Sequence, residues 1–242
     1  ILRDTDAAAA PAQRSVVTIG AYDGVHKGHR AVIAHVQAEA KRLGCQGVVV
    51  TFDRHPASVV RPESAPKLLT DSDQKIELLA GTGIDATFMV HFDEAASKED
   101  PAAFVKRVLV DALGAKLIVV GEDFHFGYKR GGNVAMLREL GKQYDFEVVP
   151  MQLVPRPDGV AEPVSSTAIR RALAGGQVEV AQQLLGRPFS VRGVVVNGDK
   201  RGRTIGFPTA NTEVSNQMCL PADGVYAGMF TCADGSVHGC AI

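Results

Sequence analysis

The run Ser15-Val16-Val17-Thr18-Ile19-Gly20 is followed at once by a glycine and aspartate turn, Ala21-Tyr22-Asp23-Gly24-Val25, and then by His26-Lys27-Gly28-His29. The apolar run reads as a buried parallel strand. From about Lys27 to Arg42, Val32, Ile33, Val36, Ala40 and Leu43 recur at helical spacing, which predicts a helix with that face inward. A strand, a tight turn and a helix start leave unpaired backbone N–H groups and a positive dipole end, the ordinary setting for an anion. The two histidines lie three apart on one face of the first turn, so both imidazoles can reach the same phosphate. Gly28 between them lets a bound group approach the backbone. N–H donors aimed at a triphosphate stabilise charge that builds on the α-phosphate as pyrophosphate leaves. Nucleotidyl transfer is the chemistry this pattern fits. A zinc pair on a helix is the competing reading; it lacks the glutamate after the first histidine and a third ligand at familiar spacing.

The remaining composition narrows the class. The chain has 242 residues, is 45% hydrophobic and 22% charged, and carries a formal net charge of -1. That balance gives no reason to expect a nucleic-acid partner. The four cysteines, Cys45, Cys219, Cys232 and Cys240, form no C-x-x-C pair, so reduced thiols in a cytoplasm are the simplest expectation. Residues 1–10 are too polar and short for a signal peptide, and no apolar stretch approaches the roughly 20 residues of a membrane span.

Strand-like and helix-like segments alternate from Ser15 to about Gly186. Strands are expected at Gly47 to Phe52, Asp85 to Val90, Lys116 to Gly121 and Phe146 to Met151. Helices are expected at Thr70 to Leu79, Pro101 to Leu113, Asn133 to Tyr144, Ser166 to Ala174 and Val178 to Leu185. This alternation predicts an α/β domain with a parallel sheet, helices on both faces and ligands at the carboxyl ends of the strands. Three unusual loops follow strands there: the His26–His29 turn, Phe52-Asp53-Arg54-His55-Pro56, and Gly121 to Gly127. After Gly186 the pattern changes. Phe189 to Asn197 and Gly224 to Thr231 read as strands with no helix pattern between them, the beginning of an all-β unit. The expected division is 1–186 and 187–242. The second unit stops in mid-pattern, and a downstream part is expected.

Three further groups carry chemistry. Ser165-Ser166-Thr167-Ala168-Ile169-Arg170 combines a capping run with an arginine one turn into a helix; hydroxyls, helix N–H groups and a guanidinium together suit phosphate oxygens. An ordinary capped helix with a solvated arginine is the other reading. The Gly121 to Gly132 loop carries Phe124, His125, Phe126 and Tyr128, which either stack on a flat heterocycle or pack on their own domain. Gly198 to Arg203, followed by Thr204-Ile205-Gly206-Phe207-Pro208-Thr209-Ala210-Asn211, is a basic glycine-spaced loop able to wrap phosphates, or a solvated turn. Thr209 and Asn211 alternate on an extended segment whose approach Pro208 fixes, so a hydroxyl and an amide oxygen could both face a magnesium ion.

Taken together, V-x-I-G-x-Y-D-G-V-H-x-G-H, T-F-D-x-H-P, G-E-D-F-x-F-G, S-S-T-x-I-R and G-x-x-x-G-R-x-I-G-F-P-T-A-N resemble the prokaryotic bifunctional riboflavin kinase/FAD synthetase family, in order and over nearly the whole chain. The resemblance implies a Rossmann-like nucleotidyltransferase domain that adenylylates FMN, then an antiparallel β-barrel riboflavin kinase domain, incomplete here. ATP, FMN and riboflavin are the implied substrates, and Mg²⁺ the implied ion. His26, Gly28 and His29 would bind the ATP phosphates, with Gly20, Ala21, Tyr22, Asp23 and Gly24 holding the nucleotide. Asp123, Ser166, Thr167 and Arg170 would complete that site. Phe52, His55, Pro56 and Phe126 are assigned to the flavin, and Thr209 and Asn211 match the kinase-side ATP–Mg²⁺ motif. Two departures stand out. Arg54 replaces the usual proline at the flavin edge. The family's kinase base is a glutamate well beyond P-T-A-N, in a region absent from these 242 residues, so this polypeptide is expected not to phosphorylate riboflavin.

Overall fold

Short valine-rich runs become sheet strands because β-branched side chains suit a pleated surface buried on both faces. The computed structural model describes residues 1–4, 13–199, 201–204, 206 and 209–242, with Arg201 and Arg203 described by backbone alone. Part of the alanine-rich start, and Lys200, Ile205, Phe207 and Pro208 of the basic loop, lie outside the described residues.

In chain order the first unit comprises β1 (Leu2–Arg3), β2 (Ser15–Ile19), α1 (Lys27–Leu43), β3 (Gln46–Phe52), α2 (Pro56–Val60), α3 (Ser72–Ala80), β4 (Ala86–Val90) and α4 (Glu94–Ser97). It continues with α5 (Pro101–Phe104), which runs on as a π-helix over Val105–Ala112, then β5 (Ala115–Gly121), β6 (His125–Phe126) and β7 (Gly132–Asn133). Next come α6 (Val134–Tyr144), β8 (Glu147–Met151), α7 (Ser166–Ala174) and α8 (Val178–Leu185). The six-stranded sheet has the order β1-β4-β3-β2-β5-β8, with every pairing parallel.

Alternation along the strands builds two cores. Val17, Val48, Val50, Ile118 and Val120 face one side, where Val105, Val108, Leu109 and Leu137 pack on them. Val16, Val49, Leu117 and Val119 face the other, covered by Ile33, Val36 and Ala40 of α1 and by Leu79 of α3. The inner face expected for α1 is the observed one. The helix expected over Pro101 to Leu113 forms, but as one α turn followed by the wider π-helix.

Chain order reverses at β2, with β3 and β4 on one side and β5 and β8 on the other. In open parallel sheets the ligand crevice lies outside the carboxyl ends at this switch point. The turn before α1 and the loop after β5 both emerge there.

The second unit holds β9 (Val194–Val196), the single turn α9 (Arg201–Thr204), β10 (Asn211–Glu213), β11 (Ala227–Thr231) and β12 (Val237–Ala241). β9 pairs with β10 and β11 with β12, both antiparallel, as two separate sheets. Among the described residues no closed barrel forms. The strand expected from Phe189 shrinks to Val194–Val196, since the segment's start is bound to the first unit: Phe189 packs on a third core, built chiefly from Ile169 and Leu173 of α7 and Leu184 and Leu185 of α8, and the Ser190 carbonyl accepts Gln74 Nε2. The α9 turn falls within the basic loop, where no helix is expected.

A second contact between the units has no sequence signature. The Leu68 N–H donates to the Gln217 carbonyl (2.8 Å) and the Cys219 N–H to the Leu68 carbonyl (2.7 Å). Cys219 is buried with Leu69, Val164, Ile169 and Leu184 in that third core.

Candidate nucleotide and flavin site

His26 is the N-cap of α1, and its Nδ1 accepts the backbone N–H of His29 (3.3 Å). Since Nδ1 accepts, the ring proton sits on Nε2, which remains a donor. The His26 and His29 rings stack at 3.6 Å between centroids, 16° from parallel. Tyr22 lies beneath, its ring 4.7 Å from His29 and its hydroxyl 2.8 Å from Thr18 Oγ1. Burial, with Arg170 and Arg187 nearby, lowers the His26 pKa to about 4. Burial and His26 together hold His29 well below the ordinary histidine value. Both rings are therefore neutral at pH 7 and act as N–H dipoles rather than as positive charges. His29 Nδ1 is enclosed and has no hydrogen-bond partner among the described residues. A buried polar atom left unmatched in an otherwise satisfied structure calls for an explanation, and a ligand is one.

The turn feeding the helix is tightly held. Tyr22, Gly24 and Val25 have φ of 52°, 83° and 38°. Only glycine takes that region freely, and a β-branched valine there stores on the order of 1–3 kcal/mol of strain. A Cβ on Gly24 would lie 2.9 Å from a Leu69 methyl, and one on Gly28 would lie 3.1 Å from the His26 ring. The carbonyls of Gly24 and Val25 accept from Arg187, the Gly24 N–H donates to Thr70 Oγ1, and Ser166 Oγ donates to the Asp23 carbonyl (2.9 Å).

Asp23 is the hub. Its carboxylate, in a residue 4% exposed, accepts the N–H groups of Leu69 (2.9 Å) and Thr70 (3.1 Å) and the Thr70 hydroxyl, and is ion-paired with Arg170. Arg170 Nε also donates to the Lys67 carbonyl (2.5 Å). The arginine read from sequence as a phosphate clamp is thus already clamped, on an aspartate read as nucleotide-binding. Ser166 and Thr167 open α7, which Ser165 caps.

Of the residues expected on the flavin side, His55 lines the neighbouring cleft, with Phe52 and Pro56 next to it in the chain. His55 caps α2 through Nδ1 (3.1 Å from the Ala57 N–H), Pro56 is its first residue, and Phe52 meets Phe92 edge-on at 5.3 Å. A cleft between this loop and the nucleotide turn is lined by Ala21, Asp23, His55, Thr70, Ser72 and Lys75, with Arg54 at its edge. Phe126 is buried, stacked on Phe124 at 5.5 Å and tilted against Phe104, so its ring is packed within its own domain. Of the two readings left open for that loop, packing describes Phe126. Asp123 is exposed at the end of β5. In the second unit Asn211 starts β10 and Thr209 precedes it, so the two do not share one strand.

Two cations at the site carried no sequence motif. Arg187, read only as part of a boundary, braces the turn; burial and Arg30 lower its pKa to about 10. Lys75 falls inside the helix expected over Thr70 to Leu79 and belongs to no motif. Neither signal was available without the fold.

A doubly wound parallel sheet with paired histidines at its switch point defines a nucleotide-binding α/β domain of the nucleotidyltransferase kind. A family model described as FAD synthetase matches residues 8–168, and one described as riboflavin kinase matches 185–242. The chain is 39% identical to the bifunctional riboflavin kinase/FMN adenylyltransferase of Escherichia coli K12, covering 90% of this chain and 68% of that protein. It is 41% identical to the protein of that name from Listeria monocytogenes, covering 92% and 69%. A crystal structure described as a macrolide-efflux protein from Streptococcus pneumoniae aligns with a TM-score of 0.78 at 30% identity, covering all of this chain and 82% of that one. No helix among the described residues is long and apolar enough to cross a membrane. This chain belongs to the bifunctional riboflavin kinase/FMN adenylyltransferase family.

Proposed function

We propose that the first unit transfers AMP from ATP to FMN, giving FAD and pyrophosphate, at the cleft beside His26 and His29. The second unit belongs to the kinase that converts riboflavin to FMN with ATP. The observation that carries the adenylylation reading is the His26–His29 stack, with its unmatched buried nitrogen, over the start of α1.

The FMN phosphate attacks the α-phosphorus in line, so the protein supplies positioning and charge stabilisation and needs no covalent nucleophile. His26 Nε2–H and His29 donate to the phosphate oxygens as neutral groups, and the α1 N-terminus adds its dipole. Arg170 keeps Asp23 and the turn in place, and its remaining N–H groups border the departing pyrophosphate. Phe52, His55 and Pro56 offer the flavin a wall, and Phe126, packed on Phe104 and Phe124, takes no direct part in it. Gly20 to Gly24 present backbone to the nucleotide, with Asp123, Ser166 and Thr167 at the rim.

Mg²⁺ neutralises triphosphate charge when bound. Thr209 and Asn211 would hold it on the kinase side, where their neutral hard oxygens fit an ion that takes most of its ligands from phosphate and water. The substrates are small molecules, and four free thiols support a cytoplasmic setting. The direct test is incubation with FMN and Mg-ATP, read by chromatography: FAD and equimolar pyrophosphate support the reading, and pyrophosphate release only with another phosphorylated acceptor overturns it.

A further inference from the structure

Lys75 is buried at the cleft wall, 7% exposed, on the first turns of α3. Its Nζ donates to the Phe52 carbonyl at the end of β3 (2.6 Å). Among the described residues no carboxylate stands within 4 Å of that ammonium. A lysine so buried is ordinarily paired, because an uncompensated interior charge is costly. The two carboxylates that act on it from further off are committed elsewhere. Asp23 holds Arg170 and the 69–70 backbone, and Asp53 holds the His91 ring (2.7 Å) and the Phe92 N–H (3.0 Å). An ammonium has three N–H donors, and Phe52 takes one.

The missing counter-charge has a natural source in the cleft. The groups proposed above for the ATP phosphates, the histidine pair and the start of α1, are not among the residues that line the cleft around Lys75. Lys75 is fixed to Phe52 and lies beside His55, on the flavin wall. We propose that Lys75 binds the phosphate of the flavin acceptor, making it the residue by which the adenylylation site prefers a phosphorylated flavin over the unphosphorylated one. This rests on the adenylylation reading above. Burial depresses the lysine pKa while Asp23 and Asp53 raise it, and a bound phosphate would raise it further. The role is distinct from the histidines': Lys75 orients the attacking group and leaves the transferring phosphate to them.

The test compares Lys75→Met and Lys75→Arg with the unaltered chain, measuring KM for FMN and for ATP, and the inhibition constant of riboflavin against FAD formation. In Lys75→Met, KM for FMN rises at least about tenfold, the scale of one charge-assisted hydrogen bond. Riboflavin inhibition and KM for ATP stay within about twofold, and Lys75→Arg recovers part of the loss. Equal weakening of FMN and riboflavin, or no change in either, overturns the proposal. If Lys75→Met does not fold, the unaltered chain answers: FMN protects Lys75 from acetic anhydride, read by mass spectrometry, and riboflavin does not. Equal protection by both overturns it. An unaltered chain that forms no FAD removes the underlying reading as well, whereas FAD formation with an unmoved flavin preference removes the Lys75 role alone.

Discussion

The Arg170 guanidinium is ion-paired with the buried Asp23 carboxylate, which also accepts the backbone N–H groups of Leu69 and Thr70. One pair of side chains thereby joins the turn after β2, the approach to α3 and the first turns of α7. Removing Arg170 leaves the buried Asp23 carboxylate without its cation, at a cost of about 3–5 kcal/mol, whereas removing Asp23 strips the Leu69 and Thr70 N–H groups of their acceptor and frees a partly exposed guanidinium. Asp23→Ala and Arg170→Ala are each expected to lower the thermal midpoint and to lose FAD formation together with stability. The double variant should recover part of the stability and none of the activity. Thermal melts alongside initial rates separate these; a fully stable Asp23→Ala protein would mean the hub is not structural.

His29 contributes differently, since its ring nitrogen has no protein partner to lose. His29→Ala is expected to keep the fold and to lose at least about 2 kcal/mol of transition-state stabilisation, roughly 30-fold in kcat/KM. Circular dichroism and FAD formation on the same preparation check this, and unchanged turnover would remove the pair from the mechanism.

Both imidazoles have pKa values depressed by burial, to about 4 for His26. The unfolded chain therefore takes up these protons at higher pH than the folded one does. The stabilising contribution is complete above about pH 6.5 and is lost as pH falls from there through the folded pKa; for His26 alone it amounts to about 3 kcal/mol. Denaturant midpoints measured from pH 8 down to 4 should fall across the lower part of that range. Neither ring's NMR signal should titrate between pH 6 and 8; a midpoint near 6.5 for either would contradict the neutral-donor account.

Arg187 braces the Gly24 and Val25 carbonyls where the turn is strained. Arg187→Lys keeps the charge but loses the fork that spans two carbonyls. KM for ATP is expected to rise several-fold with a smaller change in KM for FMN. A change confined to FMN would place Arg187 on the wrong side of the site.

The sheet is readable because each buried strand is a short, mostly apolar run and α1 has a regular apolar face, as at Ile33, Val36 and Ala40. The paired histidines were readable because their chemistry is local, set by three residues of one helix start. Long-range commitments were not. Phe126 has the residue type for stacking on a heterocycle, but whether its ring turns outward depends on Phe104, distant in sequence. Arg170 and Asp23 are 147 positions apart, so their pairing left no trace in spacing. Lys75 fits an amphipathic helix until β3 is placed beside it. The alternation from Phe189 overstates the second unit's strand because Phe189 serves the neighbouring core.

In the proposed reaction two stacked, uncharged histidine rings stabilise an adenylyl group in transfer. The rate of FAD formation from FMN and Mg-ATP, compared at pH 7.5 between the unaltered chain and the folded His29→Ala variant, tests this. Rapid formation in the first with a loss of roughly 30-fold or more in the second is the expected result. Equal rates, or no FAD from either, would contradict it.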